Sequence, residues 1–169
     1  MRRPLHAAGG AMTAVHQAVE LAFGTGVIGQ SSVGLGPAIA ASVLLDGGWV
    51  ALARRGRADR LLAFLSGVAL GVPAIHFTLW PWKLNRGVPV LTEAEGLPER
   101  LMPAYNAILY GWAAAGAAAL VADTGPRHRK WSLAGMASVL AFRPVAQSHF
   151  RWMAAEARRN PRWWNRAWA

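Results

Sequence analysis

Short knots of arginine cut the chain into apolar runs of bilayer length, and that order limits the fold more than any motif does. The runs occupy residues 11–29, 33–53, 61–80, 104–122 and 131–150. Each has about the 20 residues that a membrane-crossing helix needs. Hydrophobic residues make up 54% of the 169 and charged residues 15%, against about 25% charged in an ordinary soluble domain. The expected fold is all-α: a single-domain, polytopic helical membrane bundle with five transmembrane helices, or four plus a re-entrant or interfacial fifth.

Charge placement orients the bundle. Lys and Arg number 18 against 8 Asp and Glu, a formal net charge of +10. A nucleic-acid binder lines one face with its basic residues. Here they sit between apolar runs, at Arg54, Arg55, Arg57 and Arg60, and again at Arg127, Arg129 and Lys130. Basic knots of that kind read as cytoplasmic, so the N-terminus is expected inside a cell membrane and nucleic acid is excluded as a partner. His16, Gln17 and Glu20 interrupt the first run, which reads as a retained helix rather than a cleaved signal. Segment 131–150 is in conflict with itself. Its length and apolarity favour a span, but Arg143 and Pro144 lie near its middle, and Arg at a helix centre costs about 2.5–3.5 kcal/mol.

Loop 81–103 is expected outside, with Thr92-x-x-Glu95 as a capping box for a short helix. Trp49, Trp80, Trp82 and Trp131 fall where an aromatic belt belongs. The tail, 151–169, pairs Trp164 with Trp168 and Arg162 with Arg166 on separate helical faces, which suits an interfacial piece. Gly67-x-x-x-Gly71 lets a neighbouring helix approach closely, and Ala107, Gly111 and Ala115 repeat the spacing.

Gly24-x-Gly26-x-x-Gly29 has the spacing of a dinucleotide-binding turn. No strand precedes it and "QSSVGLGP" follows it, so the glycines read as a sharp turn at a helix end and no cofactor is implied. The chain has no cysteine, and neither HExxH nor GxSxG occurs. With no second histidine on the turn of His16, no metal site is expected.

The ionisable residues inside the runs are the candidate site, because charge in hydrocarbon faces the bundle interior with a partner. His16 and Glu20 lie one helical turn apart on one face. Asp46, on the returning second run, reaches the depth of His16. Two readings stay open. In one, Glu20 pairs with Arg143 and His16 bonds Asp46, a structural set of ion pairs. In the other, His16, Glu20 and Asp46 surround a polar pocket in which a carboxyl acts as proton donor. Trp112, Tyr110, Tyr105 and Asn106 give the fourth run an aromatic inner surface suited to a flat hydrophobic ligand. His76, after the helix-kinking Pro73, joins the substrate-binding candidates. The His16-x-x-x-Glu20 turn in an apolar helix is similar to one feature of the emopamil-binding sterol isomerases, and no site residue is taken from that likeness.

Three function classes follow. The first is a small membrane enzyme doing acid/base isomerisation or cyclisation on a lipophilic molecule. The second is a non-catalytic subunit or scaffold of a membrane complex. The third is a transporter component. The expected partners are the lipid bilayer, a hydrophobic small molecule, and a second copy or a larger membrane complex.

Overall fold

The computed structural model describes residues 2–169. It is mostly helical, in the order α1 (Pro4–Phe23), α2 (Gln30–Val33), α3 (Leu35–Arg55), α4 (Asp59–Leu79), β1 (Trp82–Asn85), β2 (Val88–Leu91), α5 (Met102–Ala118), α6 (Arg129–Ala141) and α7 (Arg143–Arg159). Three stretches are long and apolar enough to cross a membrane: α3, α4 and Glu99–Asp123, which contains α5.

α1 turns the usual amphipathic order inside out. It buries His6, Thr13, His16 and Glu20 and leaves Val15 45% exposed. α3 likewise buries Asp46 and presents Val43, Leu44 and Leu45 outward. Water would favour the reverse arrangement, whereas a bilayer makes polar groups the costly ones to expose.

Segment 131–150 is not one helix. α6 stops at Ala141, Phe142 caps it, and α7 begins at Arg143 with Pro144 in its first turn. Proline suits that position because its missing N–H has no partner there. The 13 residues of α6 reach about 20 Å at 1.5 Å per residue, less than a hydrocarbon core of about 30 Å. α7 then buries a stripe of Ala146, His149, Met153 and Ala157.

Close helix contacts come from small residues. A Cβ added at Gly67 would run into the Ser132 carbonyl, and one added at Gly135 into that of Phe64, so α4 and α6 meet backbone to backbone, as the GxxxG spacing implies. On α5 the tight contact is Gly116 against Ala69 and Ser66, while Gly111 touches only Met12. α1 meets α3 where Gly9 and Gly10 lie under the Trp49 indole.

Gly24, Gly26 and Gly29 all have positive φ. Gly24 is the left-handed C-cap of α1 and Gly29 the N-cap of α2, so the motif is a helix-ending turn. Loop 81–103 differs from expectation. It holds a two-stranded antiparallel hairpin in register Trp82↔Leu91. The hairpin turns on Arg86 and Gly87, both at positive φ, as two-residue hairpin loops require. No helix starts at Thr92, whose hydroxyl donates to the Pro81 carbonyl instead of capping. The tail does not form a free amphipathic helix. It folds back on the end of α1, with Trp168 Nε1–H donating to the Thr25 carbonyl and the Ala167 N–H to that of Gly24.

Gly67→Ala should therefore destabilise the protein by about 1–3 kcal/mol, the cost of overpacking. Gly47→Ala, with open space around it, should be neutral or stabilising by up to about 1 kcal/mol. Thermal melting of both variants in detergent checks this.

Candidate functional site

Four separate pieces of chain meet at one hydroxyl. His16 lies in the fourth turn of α1 and Glu20 one turn on. His76 lies in the last turn of α4. Glu95 comes from the connector after the hairpin, and Tyr105 from the first turn of α5. All five are buried. The Tyr105 hydroxyl is 3.0 Å from His16 Nε2 and 3.0 Å from His76 Nε2. It is 2.9 Å from Glu20 Oε1 and 3.3 Å from Glu95 Oε2. Each carboxylate also has its own histidine: Glu20 lies 3.0 Å from His16 Nε2, and Glu95 3.3 Å from His76 Nε2.

Local structure explains each placement. Pro73 lies inside α4, one turn before His76, and cannot donate to the carbonyl four residues back. His76 Nδ1 lies 2.6 Å from the Val72 carbonyl. A carbonyl only accepts, so Nδ1 carries the proton and Nε2 turns toward Tyr105 and Glu95. Glu95 and Gly96 both have positive φ, and the Leu97 N–H closes the turn on the Ala94 carbonyl at 2.8 Å. A glutamate in that conformation costs about 1–2 kcal/mol, and the turn aims its side chain inward. Ala94 and Leu97 bury on either side, and the Ala167 carbonyl of the folded-back tail packs on Gly96. Asn106 ties the hairpin down by accepting from the Leu91 N–H at 2.8 Å and donating to its carbonyl at 3.0 Å.

Burial opposes the Glu95 charge. Hydrogen bonds to His76 and Glu20, with the field of His76, outweigh it and hold the carboxyl down at about 2. The carboxyls of Glu20 and Glu95 are themselves hydrogen-bonded, which takes one proton between them.

The sequence candidates divide. His16, Glu20, His76 and Tyr105 come together, and Trp112 forms the floor, its ring centroid 5.0 Å from that of His16. Asp46 does not join them. It lies in a cleft of about 710 Å³ between α1 and α3, lined by Gln17, Ser42, Arg54, Arg55 and apolar side chains, because its face of α3 meets a side of α1 away from His16. Arg143 does not pair with Glu20 but donates to the Thr78 carbonyl at 3.0 Å from an exposed position. The helix break at Phe142 carries it away from the centre. Tyr110 is 38% exposed and donates to the Pro89 carbonyl, outside the site. Asn106 positions the hairpin rather than facing the cluster. Glu95 is the residue that sequence reasoning missed. Its signal was the apolar spacing of Leu91, Ala94 and Leu97, which buries the connector that the capping box had claimed.

No family model matches the chain, and no curated protein or solved structure matches it either.

Because Glu95 ionises at a lower pH in the folded chain than its ordinary value of 4.5, its contribution to stability is present above about 4.5 and lost as pH falls toward about 2. Wild type should therefore lose melting temperature more steeply than Glu95→Gln between pH 5 and pH 3. Equal slopes would remove Glu95 from the centre.

Proposed function

We propose that this is a small integral membrane protein whose buried centre performs acid/base chemistry on a lipophilic small molecule, an isomerisation or proton-initiated cyclisation. The observation that carries the reading is the Tyr105 hydroxyl held between two His–Glu pairs. Two carboxylates in contact, one of them held charged, form the acid and base pair that proton shuttling needs. Tyr105 can pass a proton between the α1 side and the connector side. Trp112 offers an aromatic face to a developing cation.

Embedding in a cell membrane is supported by the three apolar helices and by the polar buried face of α1. We place the N-terminus in the cytoplasm from the basic knots. On that orientation the hairpin and the Glu95 connector cover the centre from the outer side. A lipophilic substrate reaches it by displacing that cover or by passing between helices.

The α1–α3 cleft favours a second reading. Its volume of about 710 Å³ falls within the range of small-molecule sites. Asp46 could anchor the polar end of a lipophilic ligand held there without chemistry.

Proton-initiated reaction of an alkene in heavy water leaves deuterium on carbon. Purified protein incubated with a panel of isoprenoid and sterol alkenes in deuterated water should show incorporation by mass spectrometry. Glu20→Gln should lower it by about 10²–10⁴-fold, the usual worth of a positioned acid. Incorporation that is absent, or equal in the variant, would contradict the acid/base reading.

A further inference from the structure

We propose that the same centre binds a divalent transition-metal ion, with His16 Nε2, His76 Nε2, Glu20 Oε1 and Tyr105 Oη as its donor atoms and Glu95 beside them. This goes beyond the acid/base reading, and the two can fail separately.

Geometry comes first. The ligand atoms of His16, Glu20 and His76 all lie within 4.8 Å of one another. Tyr105 Oη caps that trio, 3.0, 2.9 and 3.0 Å from its members, and His16 Nε2 lies 3.0 Å from Glu20 Oε1. A tetrahedral ion with bonds of about 2.0–2.1 Å to nitrogen and oxygen needs donor atoms about 3.3–3.4 Å apart. Four of the six separations reach that length by spreading a few tenths of an ångström, and the other two, His76 to His16 and to Glu20, lie within 4.8 Å.

The orientation of His76 points the same way. Histidines that bind metal usually donate their other N–H to a carbonyl or carboxylate, which fixes the tautomer and aims the free nitrogen at the ion. His76 Nδ1 does this with the Val72 carbonyl at 2.6 Å.

Hydrogen bonding alone leaves the cluster oversupplied with acceptors. Tyr105 has one proton and the two carboxyls share a second, yet four carboxylate oxygens converge on this one spot, two of them on the Tyr105 hydroxyl. Among the described residues, Glu20 and Glu95 form salt bridges only with histidines. A dication displaces the proton that the two carboxyls share and balances both their charges in the apolar interior. With the ion in place, Tyr105 turns its proton to Glu95, and each group has a partner.

The donor set selects the metal class. Two imidazoles with oxygen donors suit Zn(II), Fe(II) or Mn(II). The absence of sulfur argues against Cu(I), and the two nitrogens against Mg(II) and Ca(II). The sequence carried half of this set on one helical turn, and the fold brings the second histidine from α4.

Full-length protein in detergent, stripped with chelator and titrated with Co(II), provides the test. Wild type should bind about one equivalent that survives gel filtration, with the strong visible absorption of a tetrahedral Co(II) site, and Zn(II) should displace it. His76→Ala and Glu20→Gln should lose the band, while His128→Ala, which removes a histidine from the opposite end of the bundle, keeps it. Tyr105→Phe preserves the packing and three donors, so it should bind more weakly with a shifted spectrum. Thermal melting shows that each variant is folded, and Tyr105→Phe decides the matter if the others are not. Wild type that binds no Co(II), or Tyr105→Phe identical to wild type in both affinity and spectrum, overturns the proposal. If metal binds but no deuterium is incorporated, only the acid/base reading fails.

Discussion

The Tyr105 hydroxyl is the point on which the arrangement depends, because it is the one atom that α1, α4, α5 and the connector all touch. The first turn of α5 holds the ring rigidly. α1 supplies His16 and Glu20 from one face. The last turn of α4 presents His76, and the left-handed turn at Glu95 closes the fourth side. Outside water, hydrogen bonds are stronger and unpaired polar groups more costly. Moving any one of these elements would therefore leave the others unsatisfied.

The periphery serves that centre. α6 packs backbone to backbone on α4 through Gly67 and Gly135, which fixes the helix that carries His76. The hairpin is tied to α5 by Asn106 and delivers the connector. The tail lies on Gly96 and holds the Glu95 turn in place. Asp46 stands apart in its own cleft, so the molecule separates a polar centre on one side of α1 from an apolar recess on another.

Much of the helical framework was legible because bilayer length, basic knots and small-residue spacing each act locally. His16 and Glu20 were legible as a pair for the same reason, since a helical turn is a fixed distance. The residues that lie apart from the centre, and the one that joins it from the connector, share a cause. Asp46 reaches the depth of His16, but depth does not fix which side of α1 its helix packs against. Arg143 matched Glu20 in position along an assumed straight span, and the break at Phe142 removed the match. The apolar spacing of Leu91, Ala94 and Leu97 marks the connector as buried, but the direction of Glu95 depends on a left-handed turn and on a tail some 70 residues away, which that spacing does not encode. The hairpin turn at Arg86 and Gly87 lacks the Asn-Gly pair that usually marks such loops.

The account rests on α1 and the connector sharing one hydrogen-bonded centre, and a double-mutant cycle on Glu20→Gln and Glu95→Gln measures that directly. If the carboxyls meet across Tyr105, thermal melting should show non-additive effects, with a coupling energy of about 0.5–3 kcal/mol. Additivity within about 0.3 kcal/mol would mean that the two residues belong to separate environments, and the centre as described would not exist.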